Sequence, residues 1–525
     1  MSFEFGFRYG VGAALNKGVR PIDLMGYYFA SSRFRTPSNV GAVPAGLEYQ
    51  ISVFEFYSPP YACNHFRIAL PAHYTAQSSA GMFAAPNDVH FEGVHLQAFQ
   101  GSWQDKTATL NGQSSFTMTP GVGAFLDDVI FTTDVPANSR MQIRLAYYVA
   151  AGAQMIVSIP PSQATAQTAP FRTVASVEAC VGGASSLASQ LTASTKPTGT
   201  DARISGAGYC PAFVVAKPTS PLDRPVWLHN GDSKTWGKNE NEVYLATKYL
   251  SMGFVQRTFD DDIASRRMPC CIMSVPGMGA SEIYPASDQS YKLQLMQLVP
   301  NRPYTHLSTD HYNNSGVLDA NYRSFFTGYF AMLRQLSRHW GNAAAPLYHF
   351  DIIPRPGSSN WATTLGGQNP TTNGDNYPTG YRWQFADDLA SGYFSDIAGV
   401  FPTRDYYSYD LTTNRDKTKL STATYTLAAN YTSGATTISL TTAPPYDTML
   451  VLNAASSSGA TWVRGISGSG PYTVTLRQGV TVSGLNSGAV IGTTYVGDQV
   501  GLHPAPQGHE LIAQAAIAYK QATFG

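Results

Sequence analysis

The hydrophobic period of the sequence changes near residue 220, and this change constrains the fold more than any other feature. Upstream, apolar and polar residues alternate, as in "RMQIRLAYY" at 140–148, which is typical of strands with one buried face. The run "VHFEGVHLQAF" changes phase at Gly93, as a β-bulge would. These patterns predict a jelly-roll-like β-sandwich over residues 1–220, and a carbohydrate-binding role for it stays open.

From Pro221 onward, short apolar runs alternate with segments of helical spacing. The apolar runs are "VWLHN", "MPCCIMSV", "YTHLST" and "PLYHFDII". Helical spacing follows in "NENEVYLATKYLSMGF", in the segment that carries Tyr322, Phe326 and Leu333, and in "RWQFADDLASGYFSDIAGVF". Repeated strand and helix patterns predict a parallel sheet with helices on both of its faces.

A third composition interrupts this region between Lys419 and Val496. The segment is rich in Thr, Ser, Gly and Val, carries little charge, and predicts a small inserted all-β module. Helical character returns in "GHELIAQAAIAYKQ". The sequence therefore predicts several domains: a β-sandwich at 1–220, an α/β domain at 221–418 and 497–525, and the β module at 419–496.

The charge balance bears on the kind of partner. Lys plus Arg number 34 and Asp plus Glu also number 34, so no net charge favours nucleic acid or an anionic membrane. No apolar run reaches the ~20 residues of a membrane span, and Glu4 and Arg8 interrupt the region where a signal peptide would need an apolar core. We expect a cytoplasmic protein or one released by lysis, such as a phage or virion component.

The cysteines and histidines offer no pattern typical of a metal site. The five cysteines have no regular spacing, so buried free thiols are expected rather than disulfides or metal ligands. His509 follows His503 by six residues, which is poor spacing for two ligands on one helix, and we expect it to pack at a helix start. No cofactor and no metal are expected, and the oligomeric state stays open.

The stretch "VWLHNGDSKTWG" at 226–237 contains the candidate nucleophile, Ser233. An apolar run ends in Gly231 and Asp232, and a helical pattern begins just beyond. A nucleophile must be both exposed and rigid, and the turn from a parallel strand into a helix provides both conditions. Gly-Asp-Ser is also a common turn sequence, so the motif needs partners elsewhere.

The segment "GDQVGLHPAPQGHELIAQA" at 497–515 supplies these partners. His503 lies in a loop before a helix and has the residue type of a general base, while Asp498 is close enough in sequence to orient its imidazole. A catalytic triad of Ser233, His503 and Asp498 is therefore predicted. The two segments stand at opposite ends of the α/β region, so the fold must bring them together.

With "GDS" at one end and "D…HPAPQGH" at the other, residues 222–412 and 496–522 resemble the SGNH, or GDSL, hydrolase family. The resemblance implies a flavodoxin-like, three-layer α/β fold with a parallel sheet, and no cofactor. It also implies an oxyanion hole built by the following groups: the backbone of Ser233, Gly279 with Gly277 as the alternative, and Asn314 with Asn313 as the alternative. The family has its aspartate three residues before the histidine, where this chain has Val500.

These residues predict a serine ester hydrolase that removes O-acetyl groups from a carbohydrate or polysaccharide. The triad accounts for the acyl chemistry, whereas the sugar follows from the resemblance and the flanking β modules. One alternative is a lipase or thioesterase acting on longer acyl esters. Another is a catalytically inactive carbohydrate-binding protein of a phage or a cell surface.

Overall fold

The structure is a computed structural model, and the residues it describes fall in many stretches along the chain. They are 26–31, 37, 39–43, 45–75, 82–157, 176–180, 184–193, 209–220, 224–236, 253–260, 264–274, 279–280, 291, 294–295, 298–299, 303–310, 319–339, 344–354, 361–364, 368, 379–404, 407–408, 417–445, 448–456, 458–476, 478–496 and 504–525.

The described residues of the first part of the chain form strands and a short helix. The helix is α1 (Ala184–Leu191). The strands are β1 (Tyr28–Phe29), β2 (Asn39–Ala42), β3 (Tyr49–Tyr57), β4 (Cys63–Pro71), β5 (His73–Thr75), β6 (Met82–Ala84), β7 (Val89–Phe99), β8 (Trp103–Ala108), β9 (Phe116–Met118), β10 (Gly123–Phe125), β11 (Val129–Val135), β12 (Arg140–Tyr148), β13 (Gln154–Val157), β14 (Ser176–Cys180) and β15 (Phe213–Pro218).

Two antiparallel sheets dominate this part. One has the order β1-β15-β4-β10, with β11 also on β4, and the other has the order β14-β3-β12-β7-β8, with β9 also on β7. The alternation read in "RMQIRLAYY" is confirmed as strand β12, whose Met141, Ile143 and Leu145 are fully buried. The predicted bulge is confirmed too, because the β12 and β7 register shifts where Ala146 pairs with Gly93 and Tyr147 with Phe91.

A parallel sheet follows in the second part of the chain. Its strands are β16 (Trp227–Asn230), β17 (Cys270–Ile272), β18 (His306–Thr309), β19 (Leu347–Phe350) and β20 (Ile397–Phe401). Their order is β17-β16-β18-β19-β20, so β16 lies between β17 and β18. Trp227 pairs with Cys270 on one side and with His306 on the other. The side chain of Trp227 is fully buried against the rings of Phe259, Tyr348 and Phe524.

The helices that the structure describes in this part are α2 (Ser233–Trp236), α3 (Phe254–Phe259), α4 (Tyr322–His339), α5 (Tyr381–Ser391) and α6 (Pro506–Phe524), with a 3₁₀ turn at Ala264–Arg266. The helical pattern around Tyr322 is confirmed as α4. The long helix read in "RWQFADDLASGYFSDIAGVF" is wrong in its second half. Gly392 has a left-handed φ of 75° and ends α5, and the segment continues as β20.

Helices α3 and α6 pack against each other although they are about 250 residues apart in sequence. The ring of His509 stacks on Phe254, and its Nδ1 accepts a hydrogen bond of 3.2 Å from the Phe254 backbone N–H. Arg257 and Glu510 form an ion pair at 3.0 Å. The expectation that His509 packs at a helix start is therefore confirmed.

A second antiparallel region lies between α5 and α6. Its strands are β21 (Thr424–Thr426), β22 (Thr437–Leu440), β23 (Met449–Val451), β24 (Ala460–Ser467), β25 (Tyr472–Leu476) and β26 (Val490–Thr494), in the order β21-β26-β23-β24-β25-β22. Its own core includes Leu440, Leu450, Val463 and Val474.

The predicted fold class, centred on a three-layer α/β SGNH-hydrolase domain, is wrong. Among the described residues, 39% lie in strands and 19% in helices, and most of the strands belong to antiparallel sheets. The first and the inserted segments, where β-branched and aromatic residues favour strands, contain most of the described strands and outweigh the α/β part on which the prediction centred. The SGNH layout is not what the described residues show.

Other expectations concern the thiols and the membrane. Cys63, Cys210, Cys270 and Cys271 are buried, as expected for the cysteines whose burial is described. No helix in the described stretches combines the length and the apolar character needed to cross a membrane.

Buried histidines give the stability of the fold a pH dependence. Burial lowers the pKa of His306 to about 4, and burial lowers the pKa values of His229 and His349 to about 3. Burial raises the pKa of Asp310 to about 7. Between roughly pH 6.5 and pH 4 the histidines gain protons only on unfolding, whereas Asp310 holds its proton only in the folded state.

We therefore expect these groups together to destabilise the protein as the pH falls from about 6.5 to about 4, because three proton uptakes on unfolding outweigh one release. His306→Leu is expected to remove one of the three proton uptakes. The slope of the unfolding free energy against pH should then fall by about 1.4 kcal/mol per pH unit. Denaturant unfolding at several pH values measures this slope. The control is His90→Leu at a partly exposed position. An unchanged slope in the His306 variant would contradict the assignment.

Candidate active site

The candidate site is the turn that follows β16. Gly231 and Asp232 are buried in this turn, and Ser233 is the first residue of α2. The neighbouring strands end at the same edge of the sheet, because β17 and β18 run parallel to β16. Residues that follow three adjacent strands therefore come together around the turn.

Gly231 has no room for a side chain. A Cβ built at this position would lie 2.1 Å from Oγ1 of Thr235, 2.2 Å from Oδ1 of Asp310 and 2.6 Å from Nε2 of His229. Real Cβ atoms do not approach other atoms so closely. The turn therefore requires glycine for close packing rather than for an unusual backbone angle.

Hydrogen bonds hold the rest of the turn. The Lys234 N–H donates to Oδ1 of Asp232 at 2.8 Å, and the Asp232 N–H donates to Oδ1 of Asp310 at 3.3 Å. The hydroxyl of Thr235 lies 3.2 Å from the same Asp310 oxygen and 2.8 Å from the hydroxyl of Ser274, which follows β17. The backbone that carries Ser233 is thus fixed by side chains from both neighbouring strands.

A buried polar pair lies next to these groups. His229 Nδ1 is 2.9 Å from the hydroxyl of Ser308, and its Nε2 is 3.7 Å from Oδ1 of Asp310. His229 is neutral near pH 7, because burial lowers its pKa to about 3. Burial raises the pKa of Asp310 to about 7, although the Asp232 N–H and the Lys234 charge oppose this shift.

The predicted site residues divide into those that are described and those that are not. Ser233 lies at the start of α2, and Gly279 is buried. Gly277, Asn313, Asn314, Asp498 and His503 lie outside the described residues. The described cluster adds polar residues that the sequence patterns had not singled out, namely His229, Thr235, Ser274, Ser308 and Asp310.

The segment that contains Asp498 and His503 is joined at its two ends. Val496 and Pro504 form an antiparallel bridge, and the Ala505 N–H donates to the Tyr495 carbonyl at 2.8 Å. Val496 and Ala505 are buried in one apolar cluster together with Trp361, Met449 and Trp462. Helix α6 begins at Pro506, so its packing on α3 also fixes the exit of this segment.

Metal chemistry has no described site. The residues of known placement contain no group of three or more His, Cys, Asp or Glu side chains arranged to hold a metal ion. The groups at the turn instead suit nucleophilic chemistry, because they combine a fixed serine backbone with buried hydrogen-bonding partners.

Comparisons with known proteins give little similarity. No protein-family model matches the chain, and no curated protein matches it. Among solved structures, a family two carbohydrate esterase from Cellvibrio japonicus is 10% identical, with 62% of this chain and 79% of that chain covered, at a TM-score of 0.19. A TM-score this low carries no argument about the fold or the activity of this chain.

Proposed function

We propose that the chain is a serine ester hydrolase whose nucleophile is Ser233. The observation that carries the proposal is the turn after β16, where Gly231 admits no side chain and hydrogen bonds from neighbouring strands fix the backbone. A nucleophile benefits from such a turn because catalysis requires the attacking oxygen to stay in one orientation. The resemblance of the quoted motifs to SGNH, or GDSL, hydrolases is a further reason for this proposal, and it concerns chemistry alone.

In the proposed reaction the Ser233 hydroxyl attacks the ester carbonyl and His503 accepts its proton. The tetrahedral intermediate then breaks, the acyl group stays on Ser233, and His503 returns the proton to the leaving alcohol. Water attacks the acyl-enzyme with His503 again as base, and the acid is released. Asp498 orients the imidazole. The backbone N–H groups of Ser233 and Gly279 and the side-chain amide of Asn314 donate hydrogen bonds to the oxyanion.

The proposed substrate is an O-acetylated carbohydrate. Equal numbers of acidic and basic residues give no field that favours a charged substrate, which suits a neutral sugar ester. The groups at the turn would act on any ester carbonyl, so the choice of a sugar ester follows from the charge balance and from the resemblance.

We expect acetate release from O-acetylated polysaccharides, and p-nitrophenyl acetate turnover that exceeds turnover of the longer p-nitrophenyl esters. The measurement compares kcat/KM across a panel of these substrates at fixed pH. A preference for long acyl chains would indicate a lipase or thioesterase instead. Binding of the polysaccharides without any turnover would indicate a carbohydrate-binding protein.

A further inference from the structure

Asp310, the residue that follows the neighbouring strand β18, contacts the nucleophile turn. One of its oxygens, Oδ1, accepts the hydrogen bond from the Asp232 N–H at 3.3 Å and that from the Thr235 hydroxyl at 3.2 Å. These two donors lie on either side of Ser233 in sequence. A single buried oxygen therefore ties together the residues that flank the proposed nucleophile.

Gly231 shows how closely Asp310 and the turn fit together. An added Cβ would lie 2.2 Å from Oδ1 of Asp310, so the backbone of the turn rests directly against the carboxyl group. The side chain of Asp310 is only 1% exposed, so water cannot replace it as the acceptor. Without this carboxyl group, the Asp232 N–H would lose the acceptor that Asp310 provides just after β18.

We propose that Asp310 is a positioning residue that acts through the backbone of the turn to hold Ser233 in its reactive orientation. This inference rests on the proposed function, because it assigns a role in the reaction of Ser233. It deepens that function by making the reactivity of Ser233 depend on a group that never touches the substrate.

The charged and titratable groups around Asp310 come from several elements. They are His229 on β16, Asp232 in the turn, Lys234 on α2 and Tyr329 on α4. His229 stays neutral near pH 7. When Ser308 donates to its Nδ1, Nε2 carries the proton and faces Oδ1 of Asp310. The Lys234 charge favours the ionised carboxylate, whereas burial opposes it, and the resulting pKa of Asp310 is about 7.

Because of this balance, the strength of the hydrogen bonds between Asp310 and the turn should depend on pH. The other carboxyl oxygen, Oδ2, has no hydrogen-bond partner among the described residues, so the Oδ1 contacts carry the interaction. Hydrogen bonds to an ionised acceptor are roughly twice as strong as those to a neutral one. The turn should therefore be held more firmly above pH 7 than below it.

Two substitutions separate the presence of the acceptor from its charge. Asp310→Asn keeps an oxygen that can accept both hydrogen bonds but cannot ionise, and Asp310→Ala removes the acceptor. Asp388→Asn is the matched control, because Asp388 is another largely buried carboxylate, paired with Arg323 on α4 away from the turn. The readout is the rate at which a serine-reactive fluorophosphonate labels Ser233 between pH 5.5 and 8.5.

We expect Asp310→Ala to label about 10²-fold more slowly at pH 8, because a small misplacement of a reacting group has effects of this size. Asp310→Asn is expected to label at nearly the wild-type rate at pH 6 and at about a tenth of it at pH 8. Dividing the labelling rate of the wild type by that of the Asn variant cancels the effect of general-base ionisation, because both proteins have the same base. The Asp388 control is expected to follow the wild type throughout.

A constant ratio of wild type to Asn variant across the pH range, together with an Ala variant that labels like the wild type, would overturn the proposal. If the Ala variant fails to fold, the test rests on the labelling rate of the wild type divided by that of Asp310→Asn, and a ratio that does not change with pH overturns the proposal. Hydrogen exchange of the peptide 228–235 gives a readout independent of activity, and it should be faster in the Asn variant than in the wild type at pH 8. The wild type could fail to label while peptide 228–235 still exchanges faster in the Asn variant. That result would refute the proposed function but not the contact between Asp310 and the turn.

Discussion

Replacing Ser233 by alanine is expected to reduce ester hydrolysis by up to ~10⁶-fold while leaving the fold intact, since removal of a triad nucleophile has effects of this size. The fold should survive because the side chains of Asp232 and Asp310, which accept the hydrogen bonds described in the turn, are unchanged in the variant. The measurement is kcat/KM for p-nitrophenyl acetate, with the unfolding midpoint taken in parallel.

The matched control for this experiment is Ser114→Ala, at an exposed serine of the first part of the chain. A fluorophosphonate should label the wild type and the control at Ser233, as shown by mass spectrometry of the labelled peptide. Undiminished turnover in the purified Ser233 variant would remove the proposed nucleophile. Labelling of another serine would identify a different one.

Local elements could be predicted where the hydrophobic pattern is long and regular. Strand β12 follows from alternation, and the phase change at Gly93 predicts the bulge. The alternation did not predict that the polar residues Gln142 and Arg144 are buried as well. Helix α4 follows from residues spaced three and four apart. The predicted helix was too long beyond α5 for a local reason. The helical pattern continues in sequence past Gly392, but this glycine adopts a left-handed conformation and ends the helix.

The fold class and the polar cluster depend on information that a linear pattern does not carry. His229, Ser274, Ser308 and Asp310 are far apart in sequence and meet only because β16, β17 and β18 lie side by side. The available signal was polar residues inside or just after apolar runs, as in "VWLHN" and "YTHLSTD". That signal indicates buried polar groups, but it does not predict which of them form hydrogen bonds to the same carboxyl oxygen.

Replacing Asp498 by asparagine is expected to lower kcat by up to ~10⁴-fold with little change in stability, as in triads where the carboxylate fixes the imidazole tautomer. The geometry of the flanking residues favours this role. Asp498 stands two residues after Val496 and His503 stands one residue before Pro504, and the bridge between Val496 and Pro504 joins these positions. Asp498 stands five positions before His503 in sequence, instead of the three usual in the family.

The rival arrangement is a dyad of Ser233 and His503, in which a backbone carbonyl holds the imidazole. It makes a different quantitative prediction, because a dyad would lose less than about tenfold in kcat when Asp498 becomes asparagine. The control is Asp396→Asn, at a partly buried aspartate just before β20. A loss confined to Asp498, with an unchanged unfolding midpoint, means that the carboxylate orients the base. Equal, small losses in both variants would mean that a backbone carbonyl, rather than Asp498, holds the imidazole of His503.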